Sequence, residues 1–219
     1  MWRFVKDIFD YTNIFGMTSS TPFPVFTQGV HLLTGSADPT INMINGTNIT
    51  IYSTKNGQTT QVDYASLNAS VVIAADANTD IIVTGNLTGL FDMSNGDWLT
   101  VKVLNTGISL FYTRDCPVIT EIDVQGEQQI TEIDCQNCAD LTTLNMYGCD
   151  GLTTLTCTGC PDLIWIVTPA QEFNVALAVA NAITAANAAN GILQTNSADT
   201  YYNVVESAAN NKGWTVIAD

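Results

Sequence analysis

From Ile119 onward the chain repeats itself every 11 residues, as ITEIDVQGEQQ, ITEIDCQNCAD, LTTLNMYGCDG and LTTLTCTGCPD, followed by the opening of another unit, LIWIVTP. The segment Ile108 to Val118, ISLFYTRDCPV, fits the same frame with weaker letters. A short fixed period constrains the fold more than composition does. One unit is too small to bury an apolar face alone, so the units must stack on one another.

The columns of the repeat predict how each unit folds. Position one carries Ile108, Ile119, Ile130, Leu141, Leu152 and Leu163. Position four carries Phe111, Ile122, Ile133, Leu144, Leu155 and Ile166. Position six carries Thr113, Val124, Cys135, Met146, Cys157 and Thr168. Side chains alternate along a strand, so positions four and six share its inner face, with position one turning inward just before it. Positions three and five are then expected to form an exposed repeat face: Glu121 and Asp123, Glu132 and Asp134, Thr143 and Asn145, Thr154 and Thr156. An 11-residue period also fits a right-handed coiled coil. β-branched Thr and Ile, with turn residues in every unit, argue for strands instead.

Units of the form L-x-x-L-x-C alternating with L-x-x-L-x-[VM], two to a 22-residue coil, resemble the leucine-rich repeats of Bacteroidetes surface proteins. Similar repeats occur in structural proteins of their tailed, crAss-like bacteriophages. The resemblance covers about residues 108–169. It implies a mainly β fold, a short leucine-rich-repeat-like β-solenoid. In function it implies either a virion structural protein (a head or tail fibre or decoration subunit) or a bacterial surface adhesin.

All six cysteines fall in register, Cys135 and Cys157 at position six, and Cys116, Cys138, Cys149 and Cys160 at position nine. Cys135-x2-Cys138 and Cys157-x2-Cys160 have the spacing of a zinc ribbon. The repeat supplies another cause, because residues 22 apart occupy the same place on successive coils. A buried ladder of free thiols, acting as small hydrophobes, is expected. Zinc and a disulfide are the alternatives. No cofactor is expected.

Four regions are expected: residues 1–26, 27–107, 108–169 and 170–219. The first holds Trp2, Phe4, Phe9, Tyr11 and Phe15 in an apolar stretch that ends in the extended Ser-Ser-Thr-Pro-Phe-Pro. So many aromatic side chains imply a segment that anchors into another subunit, with packing on its own β region or lying as a helix on a membrane surface as the alternatives. The family resemblance implies that the other subunit is a capsid or tail protein of the virion. Its Asp7 and Asp10 argue against a secretory signal. The second region alternates as strands (Thr47 to Tyr52, Thr60 to Tyr64, Ser70 to Ala74, Asp80 to Val83, Trp98 to Leu104), forming either a separate sandwich or a continuation of the solenoid. In the last, Thr168-Pro169 with Gln171 caps an Ala-rich helix over 170–190, with Phe173, Leu177, Ala180 and Ile183 or Thr184 on one face. A second helix from about Ser197 to Lys212 and a strand at Trp214 to Ile217 complete a cap.

A balance of 21 Asp+Glu against 6 Lys+Arg leaves −15, which disfavours nucleic acid and anionic membranes. No run of 18 apolar residues is present. No nucleophile-elbow, P-loop or dinucleotide motif occurs, and the one histidine, His31, sits in strand-like VHLLT. The expectation is a non-enzymatic protein of the virion, or alternatively of the bacterial surface. It is expected to form a closed homo-oligomer, most simply a trimer, with a host glycan or protein as a further partner.

Overall fold

A computed structural model describes residues 27–168, 173–182, 191–196, 198 and 200–218. The docking residues Trp2, Phe4, Phe9, Tyr11 and Phe15, the helix-capping residues Pro169 and Gln171, the helix residues Ile183 and Thr184, and Ser197 lie outside them.

The described residues are mainly β, with two helices and one mixed sheet of 13 strands that does not close on itself. Five strands come first: β1 (Gly29–Thr34), β2 (Thr40–Lys55), β3 (Gln58–Val72), β4 (Asp80–Asp92) and β5 (Trp98–Leu104). After β6 (Gly107–Tyr112) the repeat contributes strands of three residues: β7 (Glu121–Asp123), β8 (Glu132–Asp134), β9 (Thr143–Asn145), β10 (Thr154–Thr156) and β11 (Trp165–Val167). The chain ends with α1 (Phe173–Ala182), β12 (Ile192–Thr195), α2 (Tyr202–Asn211) and β13 (Thr215–Ala218).

A repeat unit pairs with the next unit but one. Phe111, Ile133 and Leu155 lie side by side in parallel strands, and so do Ile122, Leu144 and Ile166. Alternate units therefore build two parallel ladders, β4-β6-β8-β10 and β5-β7-β9-β11-β12-β13. Strand β1 runs antiparallel to both β4 and β5 and joins the ladders. The β2–β3 hairpin lies along the other edge of β4. Position-one, position-four and position-six side chains are all buried, in one core that continues through Ile44, Ile51, Phe91 and Trp98. Phe91 stacks on Phe111 with ring centroids 6.2 Å apart.

The turn after each short strand explains the rest of the unit. Position eight is left-handed in each of the five units where it is described: Asp115 (φ 54), Gly126 (φ 81), Asn137 (φ 58), Gly148 (φ 73) and Gly159 (φ 75). Only Gly, Asn and Asp adopt that conformation at low cost, which accounts for the column. In three units position five closes the turn from the other side, since its side-chain oxygen accepts the N–H of position seven. Gln125 donates to Asp123 at 3.1 Å, Gln136 to Asp134 at 3.2 Å, and Tyr147 to Asn145 at 3.2 Å.

Residues 27–107 continue the same sheet, because β4 pairs in parallel with β6, and β5 with β7. A further turn of the repeat type sits in Phe91-Asp92-Met93-Ser94-Asn95. Ser94 N–H donates to Asp92 at 2.9 Å, and Asn95 has φ 61. The two strands expected at 60–64 and 70–74 are one continuous β3.

The helices differ from expectation in one face and one neighbour. Val175, Ala176 and Val179 are buried in α1, whereas Leu177 is 42% exposed. Small residues on that face let the helix lie close against β10, where the Cys157 thiol points at the Ala178 carbonyl, 3.8 Å away. Strand β12 between the helices carries only Ile-Leu-Gln-Thr, too short a run for alternation to reveal. Gly191 precedes it because any Cβ there would strike the Trp214 ring.

Candidate functional site

The two ladders turn opposite outer faces to solvent, and these faces hold the side chains available for recognition. On one face the rows read Thr100, Glu121, Thr143, Trp165 and Lys102, Asp123, Asn145, Val167. On the other they read Leu110, Glu132, Thr154 and Tyr112, Asp134, Thr156. The four acidic residues of the first two regular units therefore do not converge. Glu121 and Asp123 lie on one face, and Glu132 and Asp134 on the opposite one.

The eight residues expected to be exposed are not equally so. Asp123 and Asn145 are buried, at 1% and 2% exposure, which corrects the expectation for both. Thr154 is exposed, and Glu121, Glu132, Asp134, Thr143 and Thr156 are half-buried. Two physical causes act together. Rows stacked at the interstrand spacing of about 4.8 Å shield their inner members. Position five also bends onto its own turn. The Lys102 ammonium sits 3.0 Å from Asp123 Oδ2, and Asn145 Nδ2 donates to Asp123 Oδ1 at 3.1 Å. Asp123 and Asn145 are thus parts of the scaffold.

Electrostatics on both faces are largely settled internally. Tyr112 donates its hydroxyl to Glu132 at 2.9 Å, and Arg114 lies 3.6 Å from Asp134 and 4.9 Å from the Tyr112 ring centroid. Burial raises the pKa of Asp134 above the ordinary carboxylate range. Burial, then the neighbouring Asp123 charge, does the same for Glu121. Burial and the Glu132 contact raise Tyr112.

Inside the ladders, all six cysteines are free and buried. The position-nine thiols share one job. Cys138 donates to the Thr113 carbonyl at 3.0 Å, Cys149 to Val124 at 3.0 Å, and Cys160 to Cys135 at 3.1 Å. Each acceptor is the position-six carbonyl one coil earlier, a group turned inward at a strand end. Cys116 does the same to Met93 at 3.3 Å. Burial pushes the Cys116 thiol up to about 11, and those of Cys138, Cys149 and Cys157 to about 12. Cys135, hydrogen-bonded to Cys160 and buried, is also raised. Thiolate, the species that ligates metal and attacks electrophiles, is disfavoured at these five, whereas the hydrogen bond with Cys135 lowers Cys160. Among the described residues no three His, Cys, Asp or Glu side chains gather as metal ligands.

One unit breaks the thiol column. Its position nine is Glu127, only 3% exposed, whose Oε2 accepts the Thr106 N–H at 3.0 Å and the Thr106 hydroxyl at 2.7 Å. A second ladder, of hydroxyls, runs at position two. Thr120, Thr131, Thr142 and Thr153 each donate to a carbonyl one coil earlier at 2.9–3.1 Å.

Sequence reasoning missed the pairing of His31 with Asp80, 2.8 Å apart on β1 and β4. No spacing rule could have found it, since the contact depends on the antiparallel closure of β1 on β4. Comparison with protein-family models, curated proteins and solved structures found no match to this chain.

Proposed function

We propose that this chain is a non-enzymatic structural protein of a tailed-phage virion, a fibre or decoration subunit. Its paired ladders act as a short β-solenoid of the leucine-rich-repeat type. The observation that carries this is the division of labour within each unit. Positions one, two, five, six, eight and nine are committed to packing, turns and coil-to-coil hydrogen bonds. The remaining outward positions vary from unit to unit, position three as Glu121, Glu132, Thr143, Thr154 and Trp165, and exposed position ten as Gln128, Ala139, Asp150 and Pro161. A rigid scaffold with variable outward rows presents a surface.

In this reading residues 1–26, with Trp2, Phe4, Phe9, Tyr11 and Phe15, dock on a capsid or tail protein, and the repeat faces outward toward host glycan or protein. The alternative is a bacterial surface leucine-rich-repeat adhesin. Density-gradient fractions of lysed host culture, probed with antibody to the chain, separate the two. Banding with capsid protein supports the virion, and recovery with the cell envelope supports the adhesin. Purely soluble chain would remove both. Deleting residues 1–26 is expected to abolish banding with particles while leaving the thermal midpoint of the repeat unchanged.

A further inference from the structure

We infer that the outer edge of β3 docks a second copy of this chain, by antiparallel strand addition about a two-fold axis. The inference deepens the self-association expected of a virion subunit and rests on that reading only for its biological setting.

Strand β3 has 15 residues and pairs, among the described residues, with β2 alone. Its register to β2 is constant from Lys55↔Gln58 to Ile44↔Ala69. At about 3.4 Å per residue this is an edge roughly 50 Å long, whose outward N–H and C=O groups meet no other strand among the described residues. Folded proteins blunt such edges with short strands, lysine, proline, bulges or inward-pointing charge. β3 has no lysine and no proline, and its single charged residue, Asp63, accepts hydrogen bonds from Thr50 and Gln61 of its own hairpin. The other ladder ends are treated differently. β10 is three residues long and lies under α1, and β13 is four residues long and packs beside α2.

Apolar exposure falls on the same strand. Of the four large hydrophobic side chains exposed among the described residues, Val62 at 47% and Val72 at 68% belong to β3. Val62 lies beside buried Ile51, at an open margin of the core. A strand added to β3 would extend the sheet past it.

Charge selects the occupant. Two copies of a chain carrying −15 repel each other over most of their surfaces. Residues 40–72 hold one aspartate and one lysine, Asp63 and Lys55, so this hairpin is neutral. It is the stretch where two acidic copies approach at least electrostatic cost, whereas a cationic partner would be drawn to the carboxylates elsewhere. A strand pairing with itself makes an isologous contact. The product is therefore a two-fold dimer instead of the trimer expected of a fibre subunit.

The test uses the full chain. Sedimentation velocity from low to high micromolar concentration should show a monomer–dimer equilibrium. Amide exchange across β3 should slow on the order of tenfold or more in the dimer, as local opening becomes coupled to dissociation. Val62→Lys should shift the chain to monomer with an unchanged circular dichroism spectrum, Val72→Lys should weaken the dimer, and Ile217→Lys on β13 should leave it intact. A chain monomeric at every concentration overturns the inference. So does a dimer whose β3 amides exchange freely, or one that Ile217→Lys alone dissociates. The exchange measurement on the unaltered chain decides even if a lysine variant misfolds. Banding with particles is scored separately, so loss of this interface and loss of the virion reading give different results.

Discussion

Replacing Cys138 and Cys157 each by alanine and by serine separates packing from hydrogen bonding in the core. At Cys138 the thiol donates to the Thr113 carbonyl at 3.0 Å, and both groups are buried. Alanine leaves a small cavity and an orphaned carbonyl, at a cost of about 1–3 kcal/mol. Serine keeps a donor aimed at the same carbonyl and recovers roughly 0.5–1.5 kcal/mol of that loss. At Cys157 the acceptor is the Ala178 carbonyl at 3.8 Å, and a hydroxyl on its shorter bond falls further out of reach. Serine there buries an unpaired hydroxyl at an added cost of about 1–3 kcal/mol over alanine. Serine should therefore be milder than alanine at Cys138 and harsher at Cys157. Urea unfolding of the four variants, with equal m-values, measures this directly. Serine costing more than alanine at Cys138 would refute the idea that position-nine thiols act as donors, leaving them as small hydrophobes only.

Glu127→Ala removes the acceptor of two hydrogen bonds from Thr106 and should cost about 2–3 kcal/mol in the same assay, with Glu127→Gln costing less. Asn137→Ala should lose about 1–2 kcal/mol, because alanine resists φ 58 and the 2.9 Å bond to Asp115 goes, while Asn137→Gly, which loses the same bond but suits the left-handed backbone, should cost less. Glu121 holds its proton more tightly when folded, so its contribution is full below its ordinary value of 4.5 and is lost as pH rises through the raised value. Glu121→Gln should accordingly raise the thermal midpoint at pH 7, with the gain disappearing as pH falls below 4.5; a variant less stable than the parent at pH 7 would reverse the sign. Thiol titration should return six equivalents on unfolding without reductant, and almost none from the native chain. Two missing equivalents, or stoichiometric zinc, would contradict the buried-thiol ladder.

The inner columns were legible because each is repeated. Six aligned residues at positions one and four leave no other face for the core, and all twelve are buried. Alternation failed at position five, where the side chain folds back to cap its turn, a local hydrogen bond invisible to a two-residue period. Alternation also assigned solvent to Asp123 without knowing that Lys102 would stand over it, since that neighbour comes from β5 through the parallel register. The turn at Asp92–Asn95 carried a readable signal, D-M-S-N beside N-M-Y-G of a regular unit, hidden because its position-one residue is missing. The β1 closure and the His31–Asp80 pair had no signal in the sequence. Both depend on where a distant strand arrives.

The β1 bridge sets a schedule for the chain as it leaves the ribosome. Repeat units need only the stretch 22 residues behind them, so from β7 onward each can lock as soon as it emerges. β1 has to wait, because its partners span Asp80–Val83 and Trp98–Leu104, some 50 to 75 residues downstream. Until Leu104 has been made, Val30 and Leu32 have no second strand to close against and the β2–β3 ribbon has no finished core beneath it. Pausing of synthesis before that point would expose β strands that aggregate, whereas pausing after it would leave β1 closed on both partners and only the growing ends of the two ladders open.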